Sequence, residues 1–356
     1  MDAAMTSKTQ TACPSCGGPI SDADRFCEAC GAELTPTAPS TPAIDTDTEP
    51  TVELDPGTTA PTPPAGPCRS CGGVIGPEGY CENCGTKAAK PRDHFTEQPA
   101  TWVAGTCDRG IRHSRNEDAM AIAADAEPGS RALLVVCDGV SSSLDSDVAS
   151  LAAARAAREV LVAGRAQGLG TESSRIGAVA ARLKAAADAA SDAVLENTSP
   201  DSPNPASCTF VATVLEDGLL VAGVVGDSRA YWFPDDAEPM ALTVDDSWAA
   251  ELIATGVPRH EAETGPQAHA ITRWLGKDAP DHTPRTTSVK VTGHGWLLVC
   301  SDGLWNYCSE AAPLADLVRQ TAAAHNGEPL ATSSALVDWA NAQGGQDNIT
   351  VALARL

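Results

Sequence analysis

From residue 101 onward, the hydrophobic pattern consists of short apolar runs separated by turn residues. Arg131 to Val136 (RALLVV) and Trp296 to Val299 (WLLV) are each followed closely by an Asp-Gly turn. Apolar runs of this length, bounded by turn residues, are typical of buried strands. The pattern therefore predicts two buried strands, each with an aspartate just beyond its end, Asp138 in one case and Asp302 in the other.

A β-hairpin is the next element that the pattern predicts. Cys208 to Leu215 and Leu219 to Val225 are apolar runs on either side of the turn dipeptide Asp217-Gly218, and an Asp-Gly turn between such runs is a strong hairpin signal. Arg229 to Phe233, after the Gly226-Asp227 turn, is predicted to continue the same sheet.

Two long helices and a final strand complete the predicted elements. Residues 148–163 and 174–195 are Ala-rich, lack proline and carry apolar residues at helical spacing. Asn348 to Leu356 is predicted to be the last strand. Strands in adjacent runs, with helices grouped between them, predict an α+β layered domain rather than a doubly wound parallel sheet.

The chain is strongly acidic, with 47 Asp and Glu against 24 Lys and Arg and a net charge of −23. Such a surface repels nucleic-acid backbones and anionic membranes, so both are disfavoured as partners. No stretch approaches the roughly 20 apolar residues of a spanning helix, and the N-terminus lacks the pattern of a secretory signal. We therefore expect a soluble, cytoplasmic protein.

Changes in composition divide the 356 residues into five segments. Residues 12–34 and 67–87 contain four cysteines each. Residues 35–66 are rich in Pro, Thr and acidic residues and lack aromatic residues, which predicts a solvated linker. Residues 88–100 are predicted to be a second, short linker, and 101–356 form the main domain.

The cysteines of the two small segments form CxxC pairs. They are Cys13, Cys16, Cys27, Cys30, Cys68, Cys71, Cys81 and Cys84. Four thiolates per segment at this spacing predict one structural Zn²⁺ in each. Redox pairs or disulfides are the alternatives, but neither explains matched quartets in a chain that we expect to be cytoplasmic. The segments resemble bacterial zinc ribbons, which implies docking or regulatory modules for an unknown protein partner.

Acidic turns recur through the main domain. They contain Glu117, Asp118, Asp138, Asp227, Asp302 and Asp347. A single Asp-Gly is more often a turn former than a ligand. However, a carboxylate beyond the end of an apolar strand is costly unless a cation compensates its charge, and oxygen-only ligands favour Mg²⁺ or Mn²⁺. Two such ions can activate water and neutralise a phosphoryl group, which predicts phosphate-ester hydrolysis.

Eight strings carry a resemblance to a known family. In chain order they are RNEDA, VCDGV, SCTFVATVL, VGDSRAYW, LTVDDSW, ITRWLG, LLVCSDGLWN and GGQDNITVAL. Residues 101–356 resemble the metal-dependent protein phosphatases, the PPM or protein phosphatase 2C family, of bacterial type. The resemblance implies a central β-sandwich of two antiparallel sheets flanked by helices, with the metals in a cleft at one edge.

The resemblance also implies a role for each acidic position. Asp138 would bridge two metal ions. Asp302 and Asp347 would complete the first site, and Glu117 with the Gly139 carbonyl would serve the second. Asp118 would orient water, and Asp227 would ligate a third, weaker ion, although a turn capped by its own side chain is an equal alternative. Residues 246–275 match the mobile flap where substrate contacts are expected.

Three positions depart from the family pattern. His113 stands where the family has its phosphate-binding arginine, so Arg112, His113 and Arg115 are all candidates, and we favour Arg112. Val140 stands where animal relatives have a candidate general-acid histidine. Asp245-Asp246 replaces the usual Asp-His and is expected to add negative charge near the flap.

The function expected from the sequence is a phosphoprotein phosphatase that hydrolyses phosphoserine and phosphothreonine with two, or three, Mn²⁺ or Mg²⁺ ions. Such an enzyme would oppose serine/threonine kinases. The alternative is a catalytically weak, phosphatase-like scaffold that acts through its ribbons. Nucleic-acid binding by the ribbons is disfavoured by the acidic charge of the whole chain.

Overall fold

The computed structural model describes residues 67–68, 71–165, 170–265 and 267–356, together with the backbone of 11–12 and 19–20. The chain divides into two units, Met1–Pro61 and Thr62–Leu356. In the first unit, β1 (Thr11–Ala12) pairs antiparallel with β2 (Pro19–Ile20). The cysteines predicted to form ribbon 1, and the predicted linker 35–66, lie outside the described residues.

The second unit begins with a small cysteine-rich segment. Two isolated antiparallel bridges, Ile75 with Cys81 and Tyr80 with Lys87, fold it back on itself. A 3-10 turn, Pro91–Asp93, connects it to the main domain. The backbone N–H of Lys90 donates to the Asp93 carboxylate at 2.9 Å, which fixes this turn.

A six-stranded antiparallel sheet forms one layer of the main domain. Its strands are β3 (His94–Ala100), β4 (Val103–Asp108), β10 (Arg229–Pro234), β11 (Met240–Ala241), β14 (Gly295–Cys300) and β15 (Ile349–Arg355). Their order across the sheet is β11-β10-β14-β15-β4-β3. β15, predicted as the final strand, lies inside the sheet between β14 and β4.

A five-stranded antiparallel sheet forms the second layer. Its strands are β5 (Ala119–Ala124), β6 (Arg131–Cys137), β8 (Phe210–Glu216), β9 (Leu219–Val225) and β13 (Arg285–Lys290), in the order β13-β9-β8-β6-β5. The predicted hairpin is confirmed, because β8 and β9 pair from Glu216 with Leu219 to Phe210 with Val225. Asp217 and Gly218 both adopt positive φ at its turn.

The two sheets pack face to face around a buried apolar core. Met120, Val136 and Val211 of the five-stranded sheet meet Trp232 and Leu297 of the six-stranded sheet in one cluster. Alternation of side chains along each strand leaves a second apolar face on the outside of each sheet, and each face needs a cover.

Helices cover both outer faces. They are α1 (Ser146–Val162) and α2 (Glu172–Glu196) on the five-stranded sheet, and α6 (Ala311–Ala324) and α7 (Pro329–Gln343) on the six-stranded sheet. The first pair confirms the predicted Ala-rich helices. Their buried alanines allow close approach of the two helices to each other and to the sheet. The predicted α+β sandwich of two antiparallel sheets flanked by helices is confirmed.

Short elements complete the fold at one end of the sandwich. They are β7 (Ser207–Cys208), paired with β12 (Leu275–Gly276), the flap helices α3 (Trp248–Ala254) and α4 (Arg259–Glu263), and α5 (Asp302–Trp305). In the described part of the chain, no helix combines the length and apolar character needed to cross a membrane.

Two details of the predicted topology are corrected. Residues 88–100 were predicted to be a linker, but His94–Ala100 is the edge strand β3, paired with β4. Its few apolar residues reflect its position, because an edge strand has a neighbour on one side only. β10 does not continue the hairpin sheet: after the Gly226 turn, where φ is +100°, the chain crosses to the other sheet and pairs with β14.

Candidate active site

Strand ends bring the predicted carboxylates to one edge of the sandwich. β6 ends immediately before Asp138, and its neighbour β5 begins immediately after Asp118. In the other sheet, β14 ends two residues before Asp302, and β15 begins two residues after Asp347. Because each pair is antiparallel, the end of one strand lies beside the start of the next.

The carboxyl groups form one electrostatic cluster. Burial, followed by the charges of Asp118, Asp302 and Asp347, raises the pKa of Asp138 well above its usual range. Burial and the charge of Asp347 do the same for the pKa of Asp302. Burial raises the pKa of Asp118 to about 6, against hydrogen bonds from Ser301 and Thr350. So much negative charge in one place needs a cation or bound protons.

Two buried oxygens show that the cluster is incomplete without a further group. Asp302 Oδ1 and Asp118 Oδ1 are buried and accept no hydrogen bond from the described residues. Such an atom costs about 1–3 kcal/mol unless something else satisfies it. A donor set of carboxylate oxygens suits hard divalent cations, so the residues present fit Mn²⁺ or Mg²⁺.

Glu117 is held as a charged side chain with a fixed orientation. Arg115 donates to its Oε1 from Nε at 3.0 Å and from Nη2 at 2.7 Å, and Ser146 Oγ donates to the same oxygen at 2.5 Å. Burial opposes ionisation, but these hydrogen bonds prevail and keep the pKa of Glu117 below its ordinary value. The other oxygen, Oε2, is left for His113 or a metal ion.

Gly139 lies where the backbone can tolerate no side chain. A Cβ at this position would stand 2.7 Å from the Glu117 carbonyl oxygen and 2.9 Å from that of Ser146. Its N–H donates to the Glu117 carbonyl at 3.1 Å. The Asp-Gly motif after β6 is therefore required by packing at this edge, as well as by turn geometry.

The three candidate phosphate-binding residues differ in their surroundings. Arg115 is committed to Glu117 and to the Ser143 carbonyl. His113 lies between two acids, with Nδ1 3.5 Å from Glu117 Oε2 and Nε2 3.3 Å from Asp347 Oδ1. Arg112 is exposed, and its side chain makes no ion pair with another residue in the described ranges.

The four cysteines of ribbon 2 converge as metal ligands. The Sγ atoms of Cys68, Cys71, Cys81 and Cys84 all lie within 4.8 Å of one another, and among the described residues no other group of three or more His, Cys, Asp and Glu is so compact. Sγ of Cys68 is 3.6 Å from that of Cys84, and Sγ of Cys71 is 3.5 Å from that of Cys81. Tetrahedral Zn²⁺ with Zn–S near ~2.3 Å separates its ligands by about 3.8 Å, so zinc fits.

Comparison with known proteins identifies the main domain. The sequence pattern of the family described as protein phosphatase 2C matches residues 109–340, well over half of the chain. This chain belongs to the protein phosphatase 2C family. The double zinc ribbon family matches residues 13–91, which contain all eight cysteines predicted to bind zinc.

Curated relatives of the phosphatase domain include serine/threonine phosphatases named stp. The one from Listeria monocytogenes serotype 4b is 29% identical over 252 residues, 69% of this chain and 92% of that protein. The one from Listeria innocua serovar 6a is 32% identical over 151 residues, 42% of this chain and 57% of that protein. In that second comparison the chain spans little more than half the length of its relative.

Solved structures show the same fold. The serine/threonine phosphatase PstP/Ppp of Mycobacterium tuberculosis is 26% identical, with a TM-score of 0.58 over 71% of this chain and 97% of that one. The catalytic domain of a PstP solved with two manganese ions is 25% identical, with a TM-score of 0.52 over 71% of this chain and 96% of that one.

Several residues that support the phosphatase 2C site gave no signal of a role in the sequence. Asn348 accepts from the Glu117 N–H at 2.7 Å and donates to the Arg109 and Arg115 carbonyls, so it ties the RNED loop to the QDN loop. Ser301 donates to Asp118 Oδ2 at 2.6 Å. Only the spacing of the motif around Asp347 hinted at Asn348, and nothing in the sequence joins Ser301 to Asp118.

Asp227 lies on the neighbouring turn of the same edge. It is buried, and burial together with the charge of Asp245 raises its pKa to about 7. Its backbone carbonyl accepts from Trp305 Nε1 at 2.9 Å. The charge of Asp227 in turn helps to raise the pKa of Asp138 and of Asp302, so it belongs to the cluster electrostatically.

Asp245 and Asp246 do not add free negative charge near the flap, contrary to the sequence expectation. Arg229 donates to both oxygens of Asp245 at 2.5–3.0 Å, and both side chains are buried. Asp246 pairs with Arg273 at 3.2 Å and with Arg285 at 2.7 Å. Each carboxylate is therefore compensated by arginine inside the protein.

Proposed function

We propose that this chain is a metal-dependent protein serine/threonine phosphatase. The observation that carries the proposal is the cluster of carboxylates at one sandwich edge, with buried oxygens of Asp302 and Asp118 that lack hydrogen-bond partners among the described residues. A phosphatase 2C domain without such a cluster would have nowhere to place divalent cations.

The proposed ligands are divided between two cations. We assign Asp138, Asp302 and Asp347 to one cation, and Asp138, Glu117 and the Gly139 carbonyl to the other. When bound, the cations polarise the attacking water and neutralise charge on the phosphoryl group. Mn²⁺ is supported by the two manganese ions of the PstP structure, and the oxygen donors also suit Mg²⁺. Asp227 is assigned to a third, weaker ion.

The remaining residues of the site orient the acidic side chains or bind the substrate. Arg115, Ser146 and Asn348 hold Glu117 by its carboxylate and its backbone N–H. Asp118 is held by Ser301 and Thr350 and is suited to orient water. Arg112, whose side chain is exposed, is assigned to the phosphate of the substrate.

The substrates are proposed to be phosphoserine and phosphothreonine proteins, with serine/threonine kinases as the opposing enzymes and a protein partner for the zinc ribbons. The cytoplasm is proposed as the compartment in which the enzyme acts.

Hydrolysis assays test the proposed function directly. With Mn²⁺, the purified full chain should release phosphate from p-nitrophenyl phosphate and from a phosphothreonine peptide, and chelation of the metal should abolish both reactions. A phosphotyrosine peptide serves as the specificity control. If Mn²⁺ binds, as measured by calorimetry, but no phosphate is released from any substrate, the weakly catalytic scaffold is the correct description.

Two arginine variants separate metal binding from phosphate binding. Arg115→Ala should weaken Mn²⁺ affinity about 10-fold or more, because Glu117 loses the guanidinium that orients it. Arg112→Ala should leave Mn²⁺ affinity unchanged and raise KM for phosphopeptides about 10-fold, since a charge-assisted hydrogen bond is worth roughly 1.5 kcal/mol. Calorimetry measures the Mn²⁺ affinity and steady-state kinetics the KM. If Arg112→Ala weakened Mn²⁺ binding and Arg115→Ala raised only KM, Arg115 would be the phosphate-binding residue.

A further inference from the structure

One histidine of the flap lies next to the helix that begins with Asp302. His269 follows the flap helices, and the chain next to it is fixed by backbone hydrogen bonds: the Trp248 N–H donates to the Ala270 carbonyl at 2.9 Å, and the Thr272 N–H to that of Asp246 at 2.8 Å. Asp246 in turn donates its N–H to the Gly226 carbonyl at 2.8 Å. These bonds attach this part of the flap to the turn that carries Asp227.

The imidazole of His269 lies beside α5. Its ring lies against Trp305, with ring centroids 6.4 Å apart and an angle of 33° between the planes. Trp305 belongs to α5, whose first residue is Asp302, and its indole N–H donates to the Asp227 carbonyl. The charge of His269 also acts to lower the pKa of Asp347. His269 itself is exposed, so its ring is open to solvent and to a bound substrate.

The hydrolysis of a phosphothreonine needs a proton donor on the leaving side. The threonine oxygen departs as a strongly basic alkoxide unless it is protonated in the transition state. Val140, two residues after Asp138, has no proton to give, and His113 is held between Glu117 and Asp347. The charge of His269 acts on Asp347, and its ring forms no ion pair with another of the described residues.

Resting on the proposed function, we propose that His269 is a catalytic residue that protonates the leaving oxygen of the phosphorylated side chain. The oxygen of water forms a bond to phosphorus while the bond from phosphorus to the serine or threonine Oγ breaks, and the electron pair of that bond passes to Oγ. The imidazolium gives its proton to Oγ, which yields the free hydroxyl. The attacking water loses a proton to solvent, and the imidazole takes a proton from solvent to become the imidazolium again.

Acidic groups and one compensated arginine lie around Trp305, the residue that the His269 ring packs against. Asp302 on the helix that carries Trp305, and Asp347 in the loop before β15, are both acidic. Trp305 also contacts a cation, Arg229, whose guanidinium lies 3.5 Å from the indole ring centroid. Asp245 and Glu263 compensate that charge, at 2.5 Å and 3.3 Å from Arg229 Nη2. Arg229 therefore adds little uncompensated positive charge beside Trp305.

Leaving-group dependence tests the proposal with the full chain loaded with Mn²⁺. His269→Gln and His269→Ala should lower kcat/KM for a phosphothreonine peptide about 100-fold, the usual scale of general acid catalysis. Both variants should retain activity toward p-nitrophenyl phosphate within about 3-fold, because p-nitrophenolate departs without protonation. Mn²⁺ affinity, measured by calorimetry, should be unchanged. The matched control is His260→Ala, an exposed histidine on α4 of the same flap.

The outcomes separate this proposal from the proposed function. Equal losses on both substrates would show that His269 only positions the flap, and full peptide activity in His269→Gln would show that it does nothing in the reaction. Either result overturns the proposal while leaving the phosphatase intact. If the wild type hydrolysed neither p-nitrophenyl phosphate nor the phosphothreonine peptide, the proposed phosphatase function itself would be wrong.

Discussion

Replacing Asp138 with asparagine should lower turnover of p-nitrophenyl phosphate and of phosphopeptides about 10³-fold or more. Asp138 is assigned to both cations, so the loss of its charge weakens both sites at once. A loss of about 4 kcal/mol of transition-state stabilisation, the scale on which a metal ion stabilises developing charge, corresponds to about 10³-fold in rate. Steady-state kinetics over a range of Mn²⁺ concentrations measure the effect.

The same substitution should leave the fold intact and raise the melting temperature of the metal-free protein. The backbone of Asp138 is held independently of its carboxylate: its N–H donates to Thr209 Oγ1 at 3.0 Å, and its carbonyl accepts from the Thr209 N–H at 2.8 Å. Asparagine is close in shape and removes a buried carboxyl group whose own pKa is raised by burial and by the charges of Asp118 and Asp302.

Asp235→Asn is the matched control for this prediction. Asp235 follows the end of β10, whereas Asp227 precedes its start, so Asp235 lies outside the carboxylate cluster. It forms an ion pair with Arg355. It should change neither turnover nor Mn²⁺ affinity. Full activity of Asp138→Asn with an unchanged melting temperature would show that Asp138 is not part of the metal centre.

The elements that the sequence predicts best are those in which local pattern and tertiary position agree. The apolar runs that end at Asp138 and Asp302 are buried on both faces, so their composition alone marks them as strands. The hairpin around Asp217-Gly218 is fixed by its turn. By contrast, the choice of sheet for β10 depends on the Gly226 turn and on pairing with β14, which lies about 65 residues later, and no local pattern encodes that partner.

The candidate site divides in the same way. The acidic residues are visible in the sequence because they stand in turns after apolar runs. The hydrogen-bond partners of these acids are not visible in the sequence, because they come from distant segments. Asn348 accepts from the Glu117 N–H, and Ser301 donates to Asp118. The compensation of Asp245 and Asp246 by arginines is likewise a property of the folded protein. Charge counted along a sequence therefore overstated the charge near the flap.

Removal of metal should make the stability of the phosphatase domain fall as pH rises from about 4 to 8. The pKa of Asp118 is about 6 and that of Asp227 about 7 in the folded protein, while an unfolded aspartate titrates near ~3.9. Between these values the native state holds protons that the unfolded state has released, so the free energy of unfolding decreases with pH. The stabilisation is complete below about pH 4 and is lost as pH rises through the folded pKa values.

Divalent cations should reverse this loss, because they compete with protons for the same oxygens. At about 100 times its Kd, one ion adds about 2.7 kcal/mol, and two ions about 5 kcal/mol. For a domain of this size, at roughly 2–4 °C per kcal/mol, the expected increase in melting temperature is about 10–20 °C at pH 8 and only a few degrees at pH 5. Thermal melts of the full chain with Mn²⁺ or with a chelator, at both pH values, measure it.

The carboxyl groups with lowered pKa values separate this effect from ordinary acid unfolding. Hydrogen bonds from Ser146 and Arg115 keep the pKa of Glu117 low against burial, and that from Arg355 lowers the pKa of Asp235, so their stabilisation is lost only as pH falls below about 4. Asp302→Asn should flatten the pH dependence between 5 and 8 and reduce the Mn²⁺ effect, because it removes a charge from the cluster. A metal-free melting temperature that rises from pH 5 to pH 8, or equal Mn²⁺ effects at both pH values, would show that the buried carboxyl groups do not bind the metal.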